Sequence, residues 1–293
     1  MQQSFAFATA PPDEVDVERL EPIATAPGRR IVLGTCGYAY ADWVGRFYPA
    51  NLKPRDMLAY YAERFSAVEI DTSYYRVPTR ATFANMALRT PEDFRFAVKL
   101  PGTLTHVPPE ATCPLHEDAS LLYENVGPLR AEGKLLALLM QFPNAFRPGP
   151  AASAHLERLR AAFPGVDLAA EFRHRAWQTH ETLALLDALG IAWTNVDQPQ
   201  FATLLRPASD VTGGIAYVRF HGRNAAQWWR PPHPDDRYTY RYAADELAPW
   251  AERLVEMSHG ARETFAFFNN HKYANATVDA RQLARLLAVR LAG

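Results

Sequence analysis

Cysteine is nearly absent: the chain has 293 residues and two cysteines, Cys36 and Cys113, far apart. They make neither a CxxC pair nor the dense set of a disulfide scaffold, which excludes covalent staples and thiol-rich metal sites as the basis of the fold. A reducing cytoplasm is the plain expectation. Long hydrophobic runs are missing as well, and no stretch approaches the ~18 apolar residues of a membrane span. The first thirty residues lack a basic start followed by an apolar core, so they are not expected to be a secretory signal. Nor is there a surplus of either charge, because 31 Lys and Arg stand against 32 Asp and Glu. Neutralising a nucleic-acid backbone or an anionic membrane takes a surplus of Lys and Arg. Neither partner is expected, although charge segregated onto one face leaves a local basic patch open. There is no GxGxxG turn after the first strand, no HExxH and no Cys/His cluster at fixed spacing. No nicotinamide or flavin cofactor and no dedicated zinc site is therefore expected. Nothing in the sequence sets the oligomeric state.

What is present from Ile31 onward is alternation. Short apolar runs recur eight times: IVLGT (31–35), SAVEIDT (66–72), FRFAVKL (94–100), KLLALLMQF (134–142), VDLAAEF (166–172), IAWTNVD (191–197), IAYVRFH (215–221) and ETFAFFNN (263–270). Near-continuous apolar runs bounded by turn residues read as strands buried on both faces. Helical patterns lie between them, at 55–65 after Pro54, then 79–89, 120–130, 153–163, 179–189, 244–258 and 278–291. Alternating strands and helices predict a parallel sheet, because right-handed crossovers return along the same sheet. Eight strands close it into a TIM-type (β/α)8 barrel. The link from Asp197 to Gly214 carries no helical pattern, so the repeat after strand six is abbreviated. The segment 222–242, long, aromatic and Pro-rich, is a candidate lid or site loop. Residues 1–30, acidic with scattered Pro and Ala, are expected to form a flexible leader before a single domain at 31–293.

Polar residues gather at the strand ends. In a barrel, side chains two apart face the same way, and active sites collect where strands end. Glu69 and Asp71 end the second run, Lys99 the third and Gln141, just before Pro143, the fourth. Glu171 and Arg173 end the fifth, Asp197 the sixth, Arg219 and His221 the seventh, and Asn269, Asn270 and His271 the eighth. Each has an ordinary explanation, since strand ends leave the core and Glu–Arg pairs neutralise one another. Spaced pairs on three strands favour a shared site. His221 is the proton-transfer candidate, because an unperturbed imidazole titrates near neutrality. Lys99 suits a tuned base, a Schiff-base amine or an anion clamp. His106, in LPGTLTH, reaches the third loop, whereas His174 points away from Arg173. Glu69, Asp71, Glu171, Asp197 and His221 would suit a divalent metal, Mg²⁺, Mn²⁺ or Zn²⁺. Lys99, Arg173 and Arg219 in the same mouth repel a cation and favour a phosphate or carboxylate, so no metal ligands are assigned. Tyr38, Tyr40, Trp43, Tyr74, Tyr75, Trp177, Trp228 and Trp229 crowd the same ends. Packing explains most of them, and the Trp228–Trp229 pair is the best platform for a stacked ligand.

The segments GTCGYAYADWVGRFYP (34–49), VEIDTSYYRVP (68–78), FRFAVKLPGTLTH (94–106), QFP (141–143), AEFRHRAW (170–177), YVRFHG (217–222) and FFNNHKYANA (267–276), in this order, resemble the YecE-like family, a domain of unknown function (DUF72). The resemblance runs from about Ile31 to the C-terminus. It implies a TIM-type barrel and no established reaction. Cys36 and Tyr38 stand where the family usually shows Ser and Trp. Asp71 stands where Asn is common, and His271 where Asp often follows the two Asn. The last two change charge or titration at the mouth, so a substrate shared by all relatives is not implied.

Together these features predict an enzyme acting by acid–base chemistry on a small polar or anionic substrate, a hydrolase, lyase or isomerase rather than a redox enzyme. Glu69 and Glu171 are the expected acid/base carboxylates, with His221 as proton shuttle. Lys99, Arg173 and Arg219 would hold the anion, while Asp71, Asp197 and Asn270 orient groups or a metal. Tyr74, His106, Gln141, Trp177 and Asn269 are expected beside the ligand. Two alternatives use the same mouth: a non-catalytic binder of a nucleotide, sugar phosphate or nucleic-acid segment, and a phosphoesterase or nuclease dependent on a divalent metal.

Overall fold

Strands covered on both faces need apolar residues at every position, and the chain places its Val-, Ala-, Leu- and Phe-rich runs there. A computed structural model describes residues 18–108 and 115–292. Cys113 and the first seventeen residues of the predicted leader lie outside the described residues. Among the described residues nine strands run β1 (Ile23–Ala26), β2 (Arg29–Cys36), β3 (Ala67–Ile70), β4 (Arg95–Lys99), β5 (Leu135–Gln141), β6 (Leu168–Glu171), β7 (Ile191–Asp197), β8 (Ala216–Phe220) and β9 (Thr264–Phe268). From β2 to β9 each strand pairs in parallel with the next, and β2 pairs with β9 to close the barrel, at Leu33↔Ala266 for example. The eight predicted runs are β2–β9.

β1 was not expected. Ile23–Ala26 pairs antiparallel with β2 at Ile23↔Ile31, through a turn in which Gly28 takes φ +72°. Upstream, the Leu20 N–H donates to Arg64 O at 2.8 Å, and Arg19 Nη2 donates to both carboxylate oxygens of Asp93, at 2.9 and 2.8 Å. From Arg19 onward the supposed leader is therefore tied to the barrel, and that part of the flexible-leader expectation is corrected. The physical reason is local: Ile23 and Leu20 pack against the core, and the hairpin satisfies backbone groups at the start of β2.

The helices form the outer layer: α1 (Met57–Ala62), α2 (Arg80–Leu88), α3 (Gly102–Thr105), α4 (Leu115–Asn125), α5 (Gly127–Ala131), α6 (Pro150–Ala162), α7 (His180–Ala188), α8 (Ala244–Gly260) and α9 (Asn275–Ala292). Thr79 and Thr179 cap α2 and α7, their hydroxyls accepting from the N–H groups of Thr82 and Thr182. The single helix expected at 120–130 is two, because Gly127-Pro128 interrupts it and Pro has no N–H to continue the ladder. No helix joins β7 to β8, as the abbreviated repeat required.

A period of two sorts the strand residues. Val32, Cys36, Ala67, Ala97, Ala137, Leu139, Ala169, Ala192, Tyr217, Phe265 and Phe267 face the barrel axis. Their neighbours, among them Leu33, Val68, Val98, Met140, Ala170 and Phe268, face the helices. Alanine on five strands leaves room for the rings of Tyr217, Phe265 and Phe267. Gly34 marks the tightest approach: a Cβ there would sit 2.4 Å from Ala67 O on β3.

Candidate functional site

One step up from the apolar interior, the inward phase turns polar. Glu69 follows Ala67, Glu171 follows Ala169 and Arg219 follows Tyr217, all fully or almost fully buried. Arg219 bridges the two carboxylates, Nη2 donating to Glu69 Oε1 at 2.7 Å and Nη1 to Glu171 Oε2 at 2.6 Å. The Tyr217 hydroxyl donates to Glu69 Oε2 at 2.7 Å, and Arg173 Nε lies 2.9 Å from Glu171 Oε1. Above them His221 Nε2 lies 3.2 Å from both Glu171 oxygens, while Asn269 Nδ2 lies 3.0 Å from His221 Nδ1. Burial pushes the Glu171 carboxylate up, but Arg173, Arg219 and His221 outweigh it and hold it well below its ordinary range. Burial pushes His221 down to about 3, so its imidazole is neutral. An ionised Glu171 needs a donor; His221 therefore carries its proton on Nε2 and accepts from Asn269 at Nδ1. Charges taken out of water this far are costly unless paired, and here both glutamates are met by Arg219, whose Nε alone of its nitrogens is buried without a partner among the described residues.

On top of the layer sits a cavity of about 480 Å³ at the C-terminal ends of the strands. Eight of the predicted residues line it: Asp71, Tyr74, Lys99, His106, Gln141, Arg173, Arg219 and Asn269. Lys99 Nζ donates to Gln141 Oε1 at 2.8 Å and lies 4.4 Å from the centre of the Tyr74 ring. Burial first, then Arg219, lower Lys99 to about 8 against the pull of Glu171 and Glu69. Asp71 is shifted the other way: burial and then Glu69 raise it, opposed by Lys99 and Arg219. Among the described residues no other residue donates a hydrogen bond to the Asp71 carboxylate. Arg173 pairs through Nε with Glu171 and lines the cavity, its guanidinium carbon 5.7 Å from the centre of the Trp228 ring. The formal charges of the mouth and the layer beneath are mixed, but they are stratified. The glutamates lie underneath, and the cationic donors face the open space together with Asp71 and Asp235.

The structure sends six predicted residues elsewhere. Glu69, Glu171 and His221 belong to the layer below and do not line the cavity. Asp197 faces outward, accepting from Trp250 Nε1 of α8 and the Tyr242 hydroxyl at 2.7 Å each and from Arg223 at 2.9 and 2.7 Å. Asn270 also faces outward, donating to Asp279 of α9 at 2.6 Å and to Tyr240 O at 3.0 Å. Trp177 is buried in a stack with Phe172 and Phe146, at 4.2 and 5.3 Å between ring centres. Phase explains two of these. Asp197 is out of step with inward Ala192, and Asn270 follows inward Asn269.

Cavity residues that the strand-end pattern missed come from loops. Asp235, Arg237 and Tyr238 belong to the 222–242 segment, which the sequence marks only as a whole. That segment is held down: Arg223 pairs with Asp197 at its start, and Asn224 Nδ2 donates to Asp236 O and Thr239 O at 3.0 and 3.2 Å. It is a built wall of the site. Leu204, Asn144 and Thr72 carry no sequence signal that separates them from ordinary loop residues. Among the described residues no three His, Cys, Asp or Glu side chains stand together as metal ligands would. The carboxylates of Glu69 and Glu171 are taken up by Arg219, Tyr217, Arg173 and His221. No helix among the described residues is long and apolar enough to cross a membrane.

Comparison with known proteins agrees with this architecture. The chain is 28% identical to the UPF0759 protein YunF of Bacillus subtilis over 278 residues, 90% of this chain and 96% of that protein. A crystal structure of a DUF72 family protein from Thermotoga maritima is 37% identical and superposes with a TM-score of 0.81, covering 88% of this chain and 99% of that one. A DUF72 family protein from Enterococcus faecalis is 27% identical with a TM-score of 0.78, over 88% and 95% of the two chains. The family profile described as "Protein of unknown function DUF72" matches residues 32–292. The chain belongs to the DUF72 family, with the parallel eight-stranded barrel found here.

Proposed function

We propose that this protein is a cytoplasmic enzyme that acts by acid–base chemistry, as a hydrolase, lyase or isomerase, on a small anionic substrate in the cavity. One observation carries the reading. Asp71, a carboxylate with no donor from any other described residue and a raised pKa, lies in the same cavity as the cationic donors of Lys99 and Arg173. A carboxyl group pushed toward neutrality exchanges protons more effectively near pH 7 than an ordinary one. The cations supply the site for the anionic part of the substrate. In this reading Asp71 takes the acid/base role, with Lys99 beside it. Glu69, Glu171 and His221 become positioning residues that hold Arg219 and Arg173 in place. Stratified charge also favours an oxyanion over a bare cation as the occupant.

The test is turnover of a panel of sugar phosphates, nucleotides and hydroxy acids, followed by mass spectrometry, with wild type and Asp71→Asn side by side. The substitution should lower kcat by about 10²- to 10⁴-fold, the usual worth of general acid–base catalysis, and leave KM within a few-fold. An unchanged kcat in Asp71→Asn would remove Asp71 from the chemistry. Tight binding of a panel member with no conversion would make the protein a binder. Activity appearing only with added Mg²⁺ would reassign it as a metal-dependent phosphoesterase.

A further inference from the structure

His271 is held unusually. Its ring lies parallel to Tyr40, at 4.4 Å and 3° between planes, with Tyr238 of the 222–242 wall 5.6 Å away. Its carbonyl accepts from Trp43 Nε1 at 2.7 Å. The chain just after it passes through the left-handed region twice without glycine, at Tyr273 (φ 59°) and Ala274 (φ 61°), and Asp42 Oδ2 accepts from the Tyr273 N–H at 2.7 Å. Such backbone is strained and persists where surroundings over-determine it. All of this fixes the ring by stacking and by backbone.

None of it uses the ring nitrogens. His271 is 6% exposed and lines the cavity, yet among the described residues neither nitrogen has a hydrogen-bond partner, and Nδ1 is sealed from solvent. Buried polar groups are normally satisfied, and leaving one unpaired is costly. A proton on Nδ1 would be a sealed donor with no acceptor, so the tautomer that offers a donor to the cavity is the one with its proton on Nε2. Burial, opposed by Asp235 and Asp42 and helped by Lys272, lowers the pKa of the imidazole and so favours its neutral form.

We propose that His271 is a ligand-contacting residue: its Nε2–H donates to an oxygen of a phosphate or carboxylate bound in the cavity with Lys99 and Arg173. This rests on the anion-binding part of the proposed function and adds a neutral donor to its cations. It also moves the functional imidazole from strand-end His221, whose nitrogens are both engaged, to His271.

The experiment is histidine-selective ¹⁵N NMR of the full chain titrated with inorganic phosphate, together with calorimetry on His271→Phe, which keeps a ring against Tyr40. The free protein should show His271 as the Nε2–H tautomer. Phosphate should shift its Nε2 signal and leave His221 unmoved, and His271→Phe should weaken phosphate binding about tenfold or more, the worth of a hydrogen bond to a charged group. An Nδ1–H tautomer, an unmoved His271 at saturating phosphate, or undiminished binding by a folded His271→Phe would overturn the proposal. If phosphate binds, is lost in Arg173→Ala and ignores His271, the anion reading stands and only this inference falls. Absence of phosphate binding in wild type sinks both.

Discussion

Lys99 shows how far a single side chain is set by its surroundings. In the sequence it is the last residue of an apolar run, and three roles suit it. In the structure burial and Arg219 bring it to about 8, with Gln141 as its hydrogen-bond acceptor. An anion held by the charged form should therefore bind progressively more weakly as pH rises through about 8, because the amine loses its proton there and not near 10.5. Sulfate, whose own charge is constant over this range, is the probe, with affinity measured by calorimetry from pH 6.5 to 9.5. Lys99→Arg should bind sulfate with little change across the same range, since a guanidinium stays charged. A flat wild-type profile would take Lys99 out of the anion site. The identity of Lys99 as a mouth residue was legible, because it is in step with inward Ala97. Its titration was not, because it depends on Arg219 and Glu171, 120 and 72 residues away in sequence.

At the scale of elements, the strand period did most of the work. The inward steps Ala67–Glu69–Asp71, Ala169–Glu171–Arg173 and Tyr217–Arg219–His221 follow from alternation alone. The same rule sets Asp197 and Asn270 on the helix side, where Trp250 and Asp279 meet them. Phase was the available signal, and strand-end position without phase was too coarse. Close strand approach was less visible. Gly34 reads as a turn glycine in GTCGY, but it sits inside β2 where any Cβ would press on the β3 backbone. Gly34→Ala should cost about 1–3 kcal/mol, as overpacking of a well-packed interior does. Urea unfolding checks this, with a lower midpoint at unchanged slope; a midpoint equal to wild type would mean that β2 and β3 separate at little cost.

For the molecule as a whole, the buried layer joins distant parts of the barrel. Arg219 on β8 holds Glu69 on β3 and Glu171 on β6, and its Nη2 lies 3.5 Å from the Cys36 sulfur on β2. Arg219→Met should destabilise the protein by about 3–5 kcal/mol, because it strands two buried carboxylates, and denaturant unfolding measures it. The contribution of Glu171 has a definite sign. Its folded pKa lies below its ordinary value, so that stability is fully present above the usual glutamate range and is lost as pH falls through the lower folded value. Acid unfolding of wild type should therefore be steeper than that of Arg219→Met, in which Arg173 and His221 alone remain to hold the carboxylate down. Equal stability of the two proteins would show that the layer is not held together through Arg219. The sequence by itself determined the eight strands, the inward phase and a polar upper end, because hydrophobic period and turn residues are local properties. Only the tertiary structure decided which polar residues stay under the floor and which reach the cavity. That depends on depth along the barrel axis, on the loop at 222–242 and on charge partners far apart in the chain. The carboxylates that looked most chemical in the sequence lie under the floor, bound to Arg219, and Asp71, Lys99 and His271 line the cavity.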